Sequence, residues 1–307
     1  MELPGFIKSA KNYIKRQYAR LKSFITGKPM PDNDNTPITQ PHTDHMVATS
    51  NSTTPDITID IKPVEPLEAG KPCRLEITLY DRNTGQRIPS EELDIVHTKK
   101  LHLLVIDKSL SDYHHIHPKA TDKLGVYSCE FTPETPYDYN AWADFTLSQN
   151  HKNIILKHEI SGKVKAPLNN EVAVNKLTID GVTVEWSVEK PLQANRDAML
   201  KLKFTDAVTG KPVGNLEPIL GAFAHLVGFS ADGENFIHAH PIEDGKEKEG
   251  ALQFHLQPEK AGQAKFFLQI NRGGKEITFA IPQQINEPQK MAERIASKPA
   301  TQHHHYL

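Results

Sequence analysis

The chain of 307 residues has only two cysteines, Cys73 and Cys129. Two thiols exclude a disulfide scaffold and a Cys-rich zinc site. No apolar run approaches the ~20 residues of a membrane span, which argues against an integral membrane protein. An excess of one charge is also missing. The 36 Lys and Arg against 38 Asp and Glu leave a net charge of -2, so no global nucleic-acid footprint is present. The composition, 37% apolar and 24% charged with 22 prolines, is that of a soluble globular chain carrying some linker. The length suits two domains. What the chain does have in quantity is histidine, at 16 residues.

The chain repeats itself. Ile57-Thr58-Ile59-Asp60 recurs as Leu177-Thr178-Ile179-Asp180, and Pro66-Leu67 as Pro191-Leu192. Thr84-Gly85 recurs as Thr209-Gly210 at an offset of 125. Leu101-His102-Leu103 recurs as Ala224-His225-Leu226, and His115-Ile116-His117-Pro118 as His238-Ala239-His240-Pro241, both at an offset of 123. Gly125 to Pro133 then returns as Gly250 to Pro258, again at 125. Length changes of two residues belong in loops. The pattern is a tandem duplication of one domain of roughly 110 residues.

Each copy reads as β-structure. Cys73, Leu75, Ile77 and Leu79 alternate with polar residues, as do Ala198, Leu200, Leu202 and Phe204. Tyr127, Cys129 and Phe131 match Leu252, Phe254 and Leu256 on another alternating strand. Period two with one apolar face marks a half-buried antiparallel strand. Turn signals such as Asn83-Thr84-Gly85, Asp232-Gly233 and Gly273-Gly274 punctuate at short intervals. The expected fold is all-β: two tandem β-sandwiches of immunoglobulin-like or cupredoxin-like size, at 56–168 and 169–283.

Three segments fall outside the repeats. Residues 1–28 carry one strong amphipathic helix over 4–27, with Phe6, Ile7, Ala10, Tyr13, Ile14, Tyr18, Leu21, Phe24 and Ile25 near helical spacing. Lys8, Lys11, Lys15, Arg16, Arg20, Lys22 and Lys28 against Glu2 give the segment +6, leaving -8 for the rest. Such a helix fits an anionic membrane surface, or packs on the sandwiches or on a second copy of the chain in a homodimer. It lacks the apolar core and cleavage site of a signal peptide, so the expected location is cytoplasmic, or outside the cell by a signal-independent route, as for a secreted bacterial effector. Residues 29–55, rich in Pro, Asp, Asn, Ser and Thr, read as a disordered linker, with His42, His45 and Met46 in it. Residues 284–307 carry a short helix near Pro288 to Ser297 and end in His303-His304-His305-Tyr306-Leu307.

The repeated histidines define the candidate site. Ala224 to Pro241 reads as a β-hairpin turning near Asp232, which sets His225 opposite or diagonal to His238 and His240. His238 and His240 are two apart, so they project from one strand face. The first copy offers His102, His115 and His117 in the same arrangement, with His114 on the other face as a structural residue. Three imidazoles suit copper or zinc, since a ring that titrates near pH 6.5 is largely deprotonated at pH 7. No Met or Cys joins either set, which argues against blue copper. The alternative is that the histidines are hydrogen-bonded structural residues of an interaction module. Most positions differ between the copies while all three histidines recur, which favours metal ligation, one site per domain.

The arrangement His-Leu, hairpin, His-x-His-Pro resembles bacterial β-sandwich domains associated with copper handling. The blocks that carry it are His102-Leu103 with His115-Ile116-His117-Pro118, and His225-Leu226 with His238-Ala239-His240-Pro241. Trp142-Ala143-Asp144-Phe145 also looks like that family's aromatic strand, while its counterpart Phe267-Leu268-Gln269-Ile270 departs from the Trp-x-Asp form. The resemblance covers roughly 56–283 and implies copper as the bound metal, with zinc the alternative. No nucleophile or general-base motif accompanies the histidines, so a non-enzymatic role in sequestering, buffering or delivering copper is expected. Cys73 and Cys129 sit at inward positions. They are either two reduced core thiols or a disulfide between facing sheets, and the second domain folds without one.

Overall fold

The computed structural model describes residues 57–167, 171–219, 222–242, 245 and 249–288. The basic helix expected over 4–27, the linker 29–55 and the tail from 289 onward lie outside the described residues. Every long element among the described residues is a strand.

The first domain is a sandwich of two four-stranded antiparallel sheets. One sheet holds β1 (Ile57–Pro63), β2 (Cys73–Asp81), β6 (Val126–Phe131) and β5 (Lys119–Ala120) in the order β1-β2-β6-β5. The other holds β4 (Tyr113–Ile116), β3 (Leu101–Asp107), β7 (Tyr139–Thr146) and β8 (Asn153–Ile160) in the order β4-β3-β7-β8. The alternation of β2 buries Cys73, Leu75, Ile77 and Leu79 against Leu101, Leu103, Val105, Tyr139, Ala141 and Phe145 of the second sheet. Each Leu, Ile, Val or Phe among these contributes roughly 1.5–3 kcal/mol when fully buried.

The second domain repeats this plan. Its strands are β9 (Lys176–Ile179), β10 (Val182–Val188), β11 (Ala198–Asp206), β12 (Leu216–Glu217), β13 (Ala224–Ser230), β14 (Phe236–Ile242), β15 (Ala251–Leu256), β16 (Gly262–Arg272) and β17 (Lys275–Ile285). Strand β14 pairs with β13 through Phe236–His238, then crosses to pair with β15 from Ala239 onward. The same switch occurs in the first domain, where β4 pairs with β3 before Pro118 and β5 with β6 after it. The chain thus folds into two tandem immunoglobulin-like β-sandwiches.

The two cysteines are free thiols. They lie on neighbouring strands of one sheet, since Leu75 is the partner of Cys129 and Cys73 that of Phe131. The reading of a bridge between facing sheets is thereby corrected: both face one core from the same sheet. Burial pushes the Cys129 thiol up to about 12, as expected of a thiol packed against a sandwich core.

The sandwiches pack on each other through corresponding sheets. Because side chains alternate across a strand, Leu103 and Val105 enter the first core while Leu104 and Ile106 point out. They meet Val227, Phe229, Phe236 and Phe267 of the second domain in a third apolar cluster with Trp142 and Leu110. The contacts are reciprocal. Tyr113 stacks on Phe267 with centroids 4.5 Å apart, and Trp142 stacks on Phe236 at 5.8 Å. At the repeat offsets, Phe236 is the counterpart of Tyr113 and Phe267 that of Trp142. Residue i meeting j while the counterpart of i meets the counterpart of j is the pattern of a two-fold interface, realised here inside one chain.

Candidate metal centre at the domain seam

The hairpin β3–β4 places the first three histidines. Its register pairs Leu103 with Ile116 and Leu104 with His115, so His102 comes opposite His117 and diagonal to His115. The turn is held by the buried Asp107, whose carboxylate accepts from the backbone N–H of Ser111 (2.7 Å) and of Asp112 (2.8 Å). Asp112 in turn accepts from the Tyr139 hydroxyl at 2.5 Å and pairs with His114 Nε2 at 2.7 Å. His114 therefore points into its own domain, edge-on to Phe131. His102 and His115 point out to the seam.

Ligand nitrogens of His102, His115 and His117 lie within 4.8 Å of one another. The ring centroids are 5.5, 5.0 and 4.7 Å apart. Imidazoles sharing one ion at about 2.0–2.1 Å have centroids roughly 5–5.5 Å apart and nitrogens roughly 3.3 Å apart. The His102 Nδ1 to His115 Nε2 separation is 3.2 Å.

Outer hydrogen bonds fix the state of two rings. His102 Nε2 lies 3.0 Å from the Val96 carbonyl, which can only accept, so that nitrogen carries the proton. His115 Nδ1 lies 3.0 Å from Gln269 Oε1, and the amide is oriented by its own N–H donated to Glu276 Oε1 at 2.8 Å. Burial, followed by the neighbouring His117, pushes His115 down to about 3, so the ring is neutral at pH 7 and its single proton sits on Nδ1. In the neutral form of His102 that carries its proton on Nε2, His102 Nδ1 and His115 Nε2 face each other as lone pairs. Burial likewise brings His117 to about 4, and its Nε2 is buried with no hydrogen-bond partner. Two lone pairs 3.2 Å apart repel unless a cation lies between them, and His117 brings a third ring nitrogen within 4.8 Å of both. An outer N–H given to a carbonyl or amide oxygen is the usual support of a ligating imidazole. The residues present fit a bound transition-metal ion. Both thiols lie in the sandwich core, so no thiolate joins the three imidazoles.

The second set is distributed differently. His225 Nε2 donates to the Ile219 carbonyl at 2.9 Å, the counterpart of the His102–Val96 bond. Its ring lies against the first domain, 5.5 Å from His115 and 5.8 Å from His97. His238 Nδ1 faces Asp144 Oδ2 across the seam at 3.7 Å, and Asp144 is the counterpart of Gln269. His240 has its backbone in β14, and its side chain lies outside the described residues. Among the described residues, the grouped triad is the one in the first domain.

Two contributors escape the duplication signal. His97, whose counterpart is Leu220, reaches the seam from a turn, 6.4 Å from the His102 ring. Gln269 was legible only as the position where the second copy departs from Trp-x-Asp. The remaining described histidines stand apart: His151 pairs with Asp94 at 2.6 Å and His255 with Asp197 at 2.8 Å, while His158 lies on β8.

The fold and the seam define a tandem β-sandwich protein with a histidine cluster between its repeats. By sequence, the chain belongs to the family described as Domain of unknown function (DUF8832), matched twice, over 52–162 and 177–287. No curated protein matches it. Among solved structures, the Lin-41 filamin domain is 14% identical over 37% of this chain and 96% of its own, with a TM-score of 0.25. Invasin, a bacterial integrin-binding protein, is 12% identical over 73% of this chain and 39% of its own, at 0.22. The S-layer protein SbsC domains 4 and 5 are 12% identical over 75% and 99%, at 0.20. With overlaps this low, the functional reading rests on the chain's own geometry.

Proposed function

We propose that the chain is a metal-binding protein that sequesters, buffers or delivers copper through His102, His115 and His117. One observation carries this reading: two imidazole nitrogens 3.2 Å apart, both left as lone pairs by their outer hydrogen bonds, with a third unpartnered nitrogen beside them. A proton on His102 would relieve the first pair but would leave His117 Nε2 unsatisfied. A metal ion satisfies all three. An all-imidazole set suits copper and zinc alike, and the His-x-His-Pro resemblance favours copper. The metal chemistry is binding and exchange. The protein holds the rings neutral by burial and orients them from Val96 and Gln269. No enzymatic role is assigned.

The test is native mass spectrometry of the metal-stripped full chain with Cu(I), Cu(II) and zinc, in the presence of a chelator that strips loosely held metal. Retained copper that disappears in His115→Ala/His117→Ala supports the reading. Uptake unchanged by that double substitution overturns it. If the chain takes up neither metal, the interaction module with structural histidines is the better description.

A further inference from the structure

We propose that His225, from the second repeat, is the fourth ligand of the triad site, so that one metal ion is held jointly by both domains. The inference rests on the triad reading and extends it. The His225 ring lies 5.5 Å from His115, equal to the widest ring separation within the triad itself. Its Nε2 proton is committed to the Ile219 carbonyl, as that of His102 is to Val96, which leaves Nδ1 as a lone pair. The ring is also held rigidly. His225 lies on β13, paired to Gln269 on β16, and Gln269 orients His115. One strand pair of the second domain thus supplies both the outer-sphere partner of one ligand and a candidate ligand of its own.

The chemistry follows from the count. Three protein ligands leave a zinc or copper ion an open position, as in catalytic sites, whereas four imidazoles close a tetrahedral sphere. A closed nitrogen sphere holds metal without activating water, which suits sequestration. The arrangement also gives His225 of the second copy a reason to lie against the first domain. His225 serves its neighbour's site, and the apolar contacts of Leu104, Trp142, Phe229 and Phe267 preorganise the seam before any metal arrives.

The experiment uses the stripped full chain loaded with one equivalent of Cu(II), and a parallel sample reduced to Cu(I). X-ray absorption counts imidazoles in both oxidation states, and chelator competition gives the affinity. His225→Gln keeps a side-chain donor for the Ile219 carbonyl, and a thermal melt checks that it folds. The expected result is four imidazoles in the parent and three in His225→Gln. Affinity should fall by at least the ten- to hundredfold that loss of an outer-sphere partner costs. An unchanged count and affinity in His225→Gln overturns the proposal, as does a loss seen in His97→Ala instead. Copper retention that survives His115→Ala/His117→Ala marks failure of the triad reading itself, independently of His225.

Discussion

His115 of the first repeat gives its Nδ1 proton to Gln269 of the second across 3.0 Å, and its counterpart His238 faces Asp144 of the first. The histidines are therefore arranged by contacts made between the copies as well as by the hairpin each copy folds. The two directions are not equivalent. Where the amide of Gln269 accepts from His115, it is a carboxylate, Asp144, that faces His238, and it also accepts from Asn153 Nδ2 at 2.7 Å. A single departure from the Trp-x-Asp form thus makes the two histidine sets chemically unequal.

Gln269→Leu removes the acceptor of His115 while keeping the side chain apolar enough for its buried position. Copper affinity is expected to fall ten- to hundredfold, the range for loss of an outer-sphere partner, and the stripped protein should lose about 1–3 kcal/mol of stability for the buried donor left without an acceptor. Chelator competition measures it. Unchanged affinity would show that Gln269 does not set the ring's tautomer.

The metal-free chain should lose stability as the pH falls below about 6.5. His115 and His117 titrate near 6.5 when unfolded, but burial lowers them to about 3 and about 4 in the fold. The unfolded chain binds more protons in that interval, so the stability from neutral rings is full above pH 6.5 and drains as the pH drops toward 4. The slope is at most about 1.4 kcal/mol per pH unit for each ring. Melting curves between pH 7 and 4.5 test this, and His115→Gln should flatten the dependence. Identical pH profiles for parent and variant would contradict it.

The two cores solve one packing position in opposite ways. In the first domain Val105 is paired with Ala141, and in the second the corresponding pair is Gly228 with Phe266. A Cβ on Gly228 would lie 2.7 Å from the Phe266 ring. Gly228→Val alone should cost 1–3 kcal/mol or more through overpacking, and Phe266→Ala about 3–5 kcal/mol through the cavity it leaves. The double variant restores the Val–Ala pair of the first domain and should cost less than the sum by about 0.5–3 kcal/mol. Urea denaturation of the four proteins gives the coupling, and strict additivity would refute the compensation.

The alternation in Cys73–Leu79 and Ala198–Phe204 announces half-buried strands, and the repeated blocks announce two copies, because both depend on local spacing. The seam is harder to read, since it depends on which sheet faces outward. A trace of it exists. Leu103 to Ile106 and Phe266 to Leu268 are unbroken apolar runs, the mark of strands covered on both faces. Equating each histidine set with its own domain follows naturally from the duplication, yet His225 lies against the first domain. His97 had no signal at all, because a residue without a counterpart is invisible to self-comparison.

His97 is held by an uncommon turn. Val96 and Lys99 exchange backbone hydrogen bonds at 2.8 and 3.0 Å, and the two residues between them, His97 and Thr98, have φ of 46° and 70°. Positive φ at both central positions is the geometry of a type I′ hairpin turn, which favours Asn-Gly, and a β-branched residue there is strained. Thr98→Gly should therefore stabilise the chain by roughly 1 kcal/mol, the lower end of the cost of such a conformation. It leaves His97 and the Val96 carbonyl in place, so copper affinity should be unchanged. His97→Gly relieves the neighbouring strain and also removes the ring from the seam. Comparing the two by melting temperature and copper competition separates the turn's strain from the ring's contribution. A Thr98→Gly variant less stable than the parent would mean that the threonine side chain outweighs the strain it carries.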